Sequence, residues 1–174
     1  SNSTLAKEAI LNGTSDWNSS NSQLVTTSID WGDIDGDGDL DLVVGNYGEK
    51  NQIYLNTGNG LEITASWTSN NSLNTNSVTF GDVDRDGDLD LAVGNYGADN
   101  EIYLNNGTGL ATTPVWNNAD GDTWNSDTNM VAFGDVDGDG DLDLAVGNSF
   151  SNSRLYINNG SGFEVNSSWT SPSA

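Results

Sequence analysis

The sequence predicts an all-β protein made of three repeated four-stranded units, and three observations support this fold class. An acidic nine-residue segment occurs as DIDGDGDLD at 33–41, DVDRDGDLD at 82–90 and DVDGDGDLD at 135–143. These segments begin at residues 33, 82 and 135, a spacing of 49 and then 53 residues, and a four-stranded β-propeller blade occupies about 40–50 residues. Short apolar, β-branched runs separated by Asn/Gly turns recur in each repeat and are typical of antiparallel strands.

Each repeat contains four predicted strands. In the first repeat, the alternating Ile29 and Trp31 precede the acidic segment, and further strands follow at 40–46 and 51–56. An Asn/Gly turn then leads to a fourth strand that is predicted to end at Trp67, and we interpret the polar residues 68–77 as a linker. A longer linker is predicted at 117–129, and only residues 5–11 favour a helix.

The acidic segments predict calcium-binding loops. Five carboxylates within nine residues repel one another unless a cation lies among them, and Ca²⁺ accepts six to eight oxygen ligands. In this register, positions 1, 3 and 5 offer side-chain oxygens, Gly at position 6 permits a sharp turn, position 7 offers its backbone carbonyl, and position 9 closes the shell. The predicted metal-binding residues are Asp33, Asp35, Asp37, Asp39, Asp41, Asp82, Asp84, Asp86, Asp88, Asp90, Asp135, Asp137, Asp139, Asp141 and Asp143.

These loops are not predicted to be EF-hands. Position 12 is Val44, Val93 or Val146 rather than Glu, and the flanking residues lack the apolar period of a helix. A solvated acidic surface of a salt-adapted protein would explain the charge, but it would not explain the fixed glycine or the threefold spacing.

Composition excludes several classes of partner and activity. The chain has no Cys and no His, and 26 acidic residues against four Lys and Arg give a net charge of −22. This charge argues against binding to nucleic acid or to anionic membranes. No apolar stretch is long enough to span a membrane, and residues 1–11 do not resemble a signal peptide. No nucleophile or acid–base constellation is present, so we do not expect an enzyme.

The repeated phrase F/W-G-D-x-D-x-D-G-D-L-D-L-x-V-G-N resembles the FG-GAP/VCBS repeats of integrin α-subunit propellers and of many bacterial secreted proteins. The resemblance extends from about residue 18 to residue 169. It implies β-propeller blades that hold calcium between their first two strands, with three Ca²⁺ in this chain. The family's metal positions match all three loops, and only Arg85 departs, because it replaces Gly at position 4.

The resemblance also implies a function. We expect a calcium-binding, lectin-like or adhesion module that is extracellular or at the cell surface and binds a glycan or an extracellular protein. Two alternatives remain open: a non-catalytic accessory domain of a secreted polysaccharide-degrading enzyme, and a structural spacer in a large surface protein.

The blade count predicts association. We divide the chain into an orphan last strand (1–17), three blades (18–67, 68–116 and 117–169) and a tail (170–174). A closed propeller has at least about four blades, so three indicate either a fragment of a longer array or half of a six-bladed ring. We prefer a homodimer, in which pairing would cover strand residues expected to face water at the open ends, namely Val43, Val44, Ala145 and Val146.

Other repeated residues are interpreted as structural. Aromatic residues that follow the repeat period are expected to pack within or between blades rather than to bind sugars, and Asn after Val-Gly is expected to cap a turn. These residues are Trp17, Trp67, Trp116, Trp169, Tyr54, Tyr103, Tyr156, Asn46, Asn95 and Asn148. The residues of the irregular linker, Asp120, Asp122, Trp124 and Asp127, are candidates for ligand specificity because they break the repeat.

Overall fold

The computed structural model describes residues 17–21, 23–118, 127–164 and 166–172. Within these ranges the chain forms ten β-strands and no helix. The strands are β1 (Thr26–Gly32), β2 (Asp41–Tyr54), β3 (Trp67–Gly81), β4 (Asp90–Tyr96), β5 (Glu101–Tyr103), β6 (Trp116–Asn117), β7 (Thr128–Gly134), β8 (Asp143–Asn148), β9 (Arg154–Tyr156) and β10 (Trp169–Thr170). The predicted helix at 5–11 and most of the orphan strand lie outside the described residues.

The strands form two antiparallel sheets. One sheet has the order β1-β2-β3-β4-β5-β6, and the other has the order β10-β9-β8-β7. The third repeat forms a four-stranded meander, β7 to β10. In the six-stranded sheet, β2 contains the second and third strands of the first repeat, and β3 runs from the fourth strand of the first repeat into the first strand of the second. The predicted all-β class, with partial β-propeller blades, is confirmed.

Two details of the strand prediction are wrong. The fourth strand of each repeat begins at the Trp rather than ending there, and residues 68–77 belong to β3 rather than to a linker. Polar side chains suit this strand because they pair with neighbouring strands. The Asn51 backbone N–H donates to Ser69 Oγ at 3.0 Å, and Thr75 Oγ1 donates to Asn95 Oδ1 at 2.9 Å. A run of Ser, Asn and Thr therefore does not mark a loop here.

Aromatic pairs join successive blades, as the structural interpretation of the repeated Trp and Tyr residues predicts. The rings of Trp67 and Tyr103 meet edge to face, with centroids 5.4 Å apart, and Trp67 Nε1 donates to the Ala111 carbonyl at 3.1 Å. The pairs formed by Trp17 with Tyr54 and by Trp116 with Tyr156 have the same geometry. All three tyrosines are buried, whereas Trp169 is 52% exposed.

The repeated Asn side chains cap turns, as predicted. The side-chain amide of each donates to the carbonyl four residues later: Asn46 to Lys50 at 2.7 Å, Asn95 to Asp99 at 2.7 Å and Asn148 to Asn152 at 2.9 Å. Each of these bonds closes the turn between the second and third strands of its repeat.

The predicted exposure of the second strands is largely wrong. Val43, Val44 and Val146 are buried, and Ala145 alone of the four predicted residues is exposed. The second strand lies inside its blade, so its side chains are covered by the blade's own strands and by the neighbouring repeat.

The part of the chain that the structure describes contains no helix that could span a membrane.

Candidate functional site: three acidic loops

Each acidic loop connects the first strand of a repeat to the second. The loops follow β1, β3 and β7 and enter β2, β4 and β8. The glycines at position 6, namely Gly38, Gly87 and Gly140, have φ of 94°, 97° and 90°. This left-handed conformation carries a steric penalty for residues with a Cβ, so the glycine has the turning role that its spacing predicts.

The first two loops bring the carboxylates of positions 1, 3 and 5 together. One oxygen each of Asp33, Asp35 and Asp37 lies within 4.8 Å of the others, and Asp82, Asp84 and Asp86 form the same group. The backbone N–H of the position-6 glycine donates to Oδ2 of the first aspartate, at 2.9 Å for Asp33 and 3.1 Å for Asp82. Three carboxylates held this close favour a hard dication.

The remaining oxygen of the first aspartate provides a test of whether a cation fits. Asp33 Oδ1 and Asp82 Oδ1 are both buried, and neither has a hydrogen-bond partner in the described structure. A buried carboxylate oxygen without a partner is unfavourable. A Ca²⁺ ion among the three carboxylates would satisfy that oxygen, so these residues fit the metal that the loop sequence predicts.

Position 9 has a structural role that the loop register does not predict. Asp90 is fully buried, and its Oδ2 and Oδ1 accept the backbone N–H groups of Val83 and Asn105, both at 2.8 Å. Asp41 makes the equivalent contacts, and in both loops position 9 lies outside the group of three converging carboxylates. The aspartate at position 9 therefore ties the loop to the turn after the third strand.

Burial raises the pKa of Asp90 to about 6, although the two backbone hydrogen bonds oppose this change. Burial also raises the pKa of Asp41 above its usual value. A dication nearby would favour the ionised form of both groups. Burial favours the protonated carboxyl, whereas calcium in the loop would lower the pKa of both groups.

Position 7 faces the Asn/Gly turn of its own repeat. A Cβ added at Gly58 would lie 3.2 Å from Asp39 Oδ2, and one at Gly107 would lie 2.9 Å from Asp88 Oδ2. These carboxylates lie outside the converging groups. The side chain at position 7 is therefore separate from the converging carboxylates in these two loops, and the metal-binding role of its backbone carbonyl stays a prediction.

The third loop differs from the first two. Asp135 Oδ1, whose counterparts have no partner, accepts the Gly138 N–H at 2.7 Å. The converging carboxylates here are Asp135, Asp137 and Asp143, so position 9 replaces position 5. The third loop therefore holds its acidic groups in another arrangement.

Arg85 reaches from the second loop to the third. Its guanidinium donates to the carbonyls of Asp139 and Gly140, both at 3.0 Å, and Arg85 Nε lies 2.8 Å from Asp141 Oδ1. Its φ of 62° is a left-handed conformation that glycine adopts at this position in the other two loops. These contacts span more than fifty residues of sequence, so no local pattern indicates them.

Buried asparagines of the following blade brace the first two loops. Asn105 Nδ2 donates to the Ile34 carbonyl in the first loop at 2.8 Å, and Asn158 Nδ2 donates to the Val83 carbonyl in the second at 2.7 Å. The recurrence of this Asn before each turn is the only sequence signal of the contact.

The linker residues proposed as candidates for ligand specificity are only partly described. Asp120, Asp122 and Trp124 lie outside the described residues, and Asp127 forms a β-bridge with Tyr96.

Comparison with known protein families agrees with this architecture. A model described as FG-GAP-like repeat matches residues 33–93 and 85–146, and one described as FG-GAP repeat matches residues 131–163. A search of curated proteins found no match. FG-GAP repeats form β-propeller-type modules, commonly bind calcium, often act in adhesion or ligand binding, and are typical of extracellular or surface proteins. Because the matches span all three acidic loops and most of the chain, the protein belongs to the FG-GAP repeat family.

Proposed function

We propose that this chain is a calcium-stabilised binding or adhesion module that acts outside the cell or at its surface. It binds three Ca²⁺, one in each acidic loop, and its ligand is a glycan or an extracellular protein. The observation that carries the calcium assignment is the pair of buried, unpartnered oxygens, Asp33 Oδ1 and Asp82 Oδ1, each on an aspartate that belongs to a group of three converging carboxylates.

Electrostatics favours this assignment. The isolated loops place five carboxylates within nine residues, and the chain carries a net charge of −22. Three Ca²⁺ would add six positive charges and leave −16. Extracellular calcium modules bind Ca²⁺ with dissociation constants of about 10⁻⁴–10⁻³ M. We expect affinities in this range here, because several of the loop carboxylates are exposed.

Calcium in these loops would also stabilise the contacts between blades. Each of the first two loops is bonded to the next repeat by a buried Asn, and Asp90 bonds the second loop to the turn after the third strand of its own repeat. Ordering a loop therefore orders the surfaces that meet at the blade interface. The proposed role of calcium is structural, so it preorganises a binding surface and takes no part in catalysis.

The ligand class is tested by a glycan-array screen performed with calcium and again with a chelator. Binding to a defined set of glycans that is lost on chelation supports a lectin-like role. Binding to no glycan, together with no binding to extracellular matrix proteins, would contradict the binding function and leave a structural spacer.

Single substitutions should distinguish the positions of the second loop. We expect Asp82→Ala to remove one Ca²⁺ per chain, since it deletes a carboxylate ligand with a buried free oxygen. We expect Asp88→Ala to retain that ion with weaker affinity, because alanine keeps the backbone carbonyl. Isothermal titration calorimetry gives both stoichiometries. Equal losses from the two substitutions would contradict the register.

The third loop should be the weakest site, because Arg85 places a positive charge on residues 139–141. We expect Arg85→Gly, which restores the residue type of the other two loops, to raise the third affinity by about three- to tenfold, the size of a screened charge repulsion. Arg85→Lys keeps the charge and is the matched control. An unchanged third affinity in Arg85→Gly would show that Arg85 does not tune this site.

A further inference from the structure

The two open ends of the blade row expose complementary apolar surfaces. We define the preceding face by Ile29, Trp31 and Leu40 of the first repeat, which are 55%, 50% and 56% exposed. We define the following face by Gly134, Val136, Gly147 and Trp169 of the third repeat. Val136 is 60% exposed, whereas its counterparts in the first two repeats, Ile34 and Val83, are buried.

The two interfaces between successive repeats inside the chain show which side chains pack over the glycines of the preceding repeat. A Cβ added at Gly32 would lie 2.7 Å from Leu89 and 2.8 Å from Phe80 of the next repeat. A Cβ at Gly81 would meet Phe133 at 2.6 Å and Leu142 at 3.0 Å in the same way. Each glycine is therefore a recess that an aromatic ring and a leucine of the following blade fill.

The third repeat has the same recess at Gly134, but no described side chain of the chain packs into it. Of the described residues, none outside the immediate chain neighbours lies within 4 Å of a Cβ added at Gly134. The residues that correspond to Phe80 and Leu89 in the first repeat are Trp31 and Leu40, both on the preceding face. One face thus has the recess, and the other has the side chains that fit it.

A second glycine repeats this relation. A Cβ added at Gly45 would lie 2.9 Å from Val78, and one at Gly94 would lie 2.9 Å from Val131, both in the following repeat. At Gly147 the nearest atoms belong to Met130 of the same repeat, at 3.7 Å or more. The residue that corresponds to Val78 and Val131 on the preceding face is Ile29.

We propose that the following face binds the preceding face of a second copy of this chain, with Trp31 and Leu40 of that copy packed over Gly134 and Ile29 packed over Gly147. The occupant is a second copy because this contact continues the interface that the chain already forms twice within itself. Asn56 extends the match, since Asn105 and Asn158 donate across the internal interfaces. In the pair, Asn56 would donate to the Val136 carbonyl.

Trp17 competes with this contact. The ring of Trp17 packs against Tyr54 with centroids 5.1 Å apart and occupies the place that Trp67 and Trp116 take on the next blade inside the chain. Trp169 of a second copy must displace Trp17 to complete the interface. This exchange weakens the association, and removing the Trp17 ring should strengthen it.

Head-to-tail contact of this kind has a defined outcome for assembly. Such an interface gives a ring when the rotation closes and an open row when it does not. Two copies would supply six blades, within the range of closed propellers. Both faces are then covered, which removes the apolar surface that the single chain exposes.

Light scattering of the 174-residue chain at tens of micromolar, in about 1 mM Ca²⁺, tests the proposal. We expect a mass near twice 18.4 kDa, and Gly134→Leu should restore the monomer mass, since its side chain takes up the recess and no described residue beyond the chain neighbours lies within 4 Å of a Cβ there. Phe150→Ala is the control, because Phe150 is 99% exposed and lies on neither face. Trp17→Ala should shift the equilibrium toward the pair.

Each outcome decides the proposal. Larger masses that Gly134→Leu abolishes support the same contact in an open row. A wild-type chain and a Trp17→Ala chain that both remain folded monomers at the highest soluble concentration would overturn it and leave the following face to another partner. A Gly134→Leu chain that keeps the dimer mass would overturn it as well. Circular dichroism of each variant confirms folding, and none of these results depends on the calcium assignment.

Discussion

Removal of calcium with a chelator should lower the melting temperature of this protein by about 5–10 °C for each site that was occupied. An ion bound only by the folded chain stabilises it by about 2.7 kcal/mol when its concentration is a hundredfold above Kd. Without the ion, the clustered aspartates repel one another and leave Asp33 Oδ1 and Asp82 Oδ1 without a partner. Differential scanning calorimetry in calcium, and again in chelator, measures the difference.

Two controls make this result specific. Adding back an excess of calcium should restore the original melting temperature, whereas the same concentration of Na⁺ should not, because a monovalent ion compensates less of the loop charge. A melting curve that is identical with and without chelator would contradict a structural role for the ion.

Asp90→Ala should destabilise the protein even when no calcium is present. Asp90 is fully buried and accepts backbone N–H groups from Val83 and Asn105, both at 2.8 Å. Alanine leaves two buried amides without partners, at about 1–3 kcal/mol each. We therefore expect a loss of about 2–6 kcal/mol in the free energy of unfolding, measured by urea denaturation in chelator.

Asp82→Ala is the matched control for this prediction. It removes a proposed calcium ligand from the same loop, so its cost should be large in calcium and small in chelator. Asp90→Asn provides a second comparison, since its amide keeps one acceptor oxygen for one of the two N–H groups. If Asp90→Ala costs stability only in the presence of calcium, then Asp90 acts mainly as a metal ligand and its backbone contacts matter little.

Local features of the repeat could be predicted from the sequence. The spacing of the acidic segments indicated propeller blades, and the repeated Tyr54, Tyr103 and Tyr156 were correctly interpreted as core residues because aromatic residues that follow a repeat period usually pack. The position-6 glycines were assigned to a sharp turn, and their positive φ follows from the same pattern.

Other features depend on contacts that no local pattern records. The polar composition of residues 68–77 predicts a linker, yet these residues form a strand because their polar side chains hydrogen-bond with neighbouring strands. The contact of Arg85 with the third loop spans 55 residues of sequence, and Asp90 serves the fold because one of its partners, Asn105, lies in the turn after the third strand. In each case tertiary hydrogen bonding determines the role of a residue whose type alone suggests something else.

Calorimetric titration of the chelator-treated, dialysed chain with CaCl₂ tests most directly whether the acidic loops bind calcium. We expect uptake of three Ca²⁺ per chain, with the first two loops binding more tightly than the third, where Arg85 contacts residues 139–141. A titration without uptake by a folded chain would contradict the account, because the converging aspartates of all three loops would then be held together without the cation that their geometry fits.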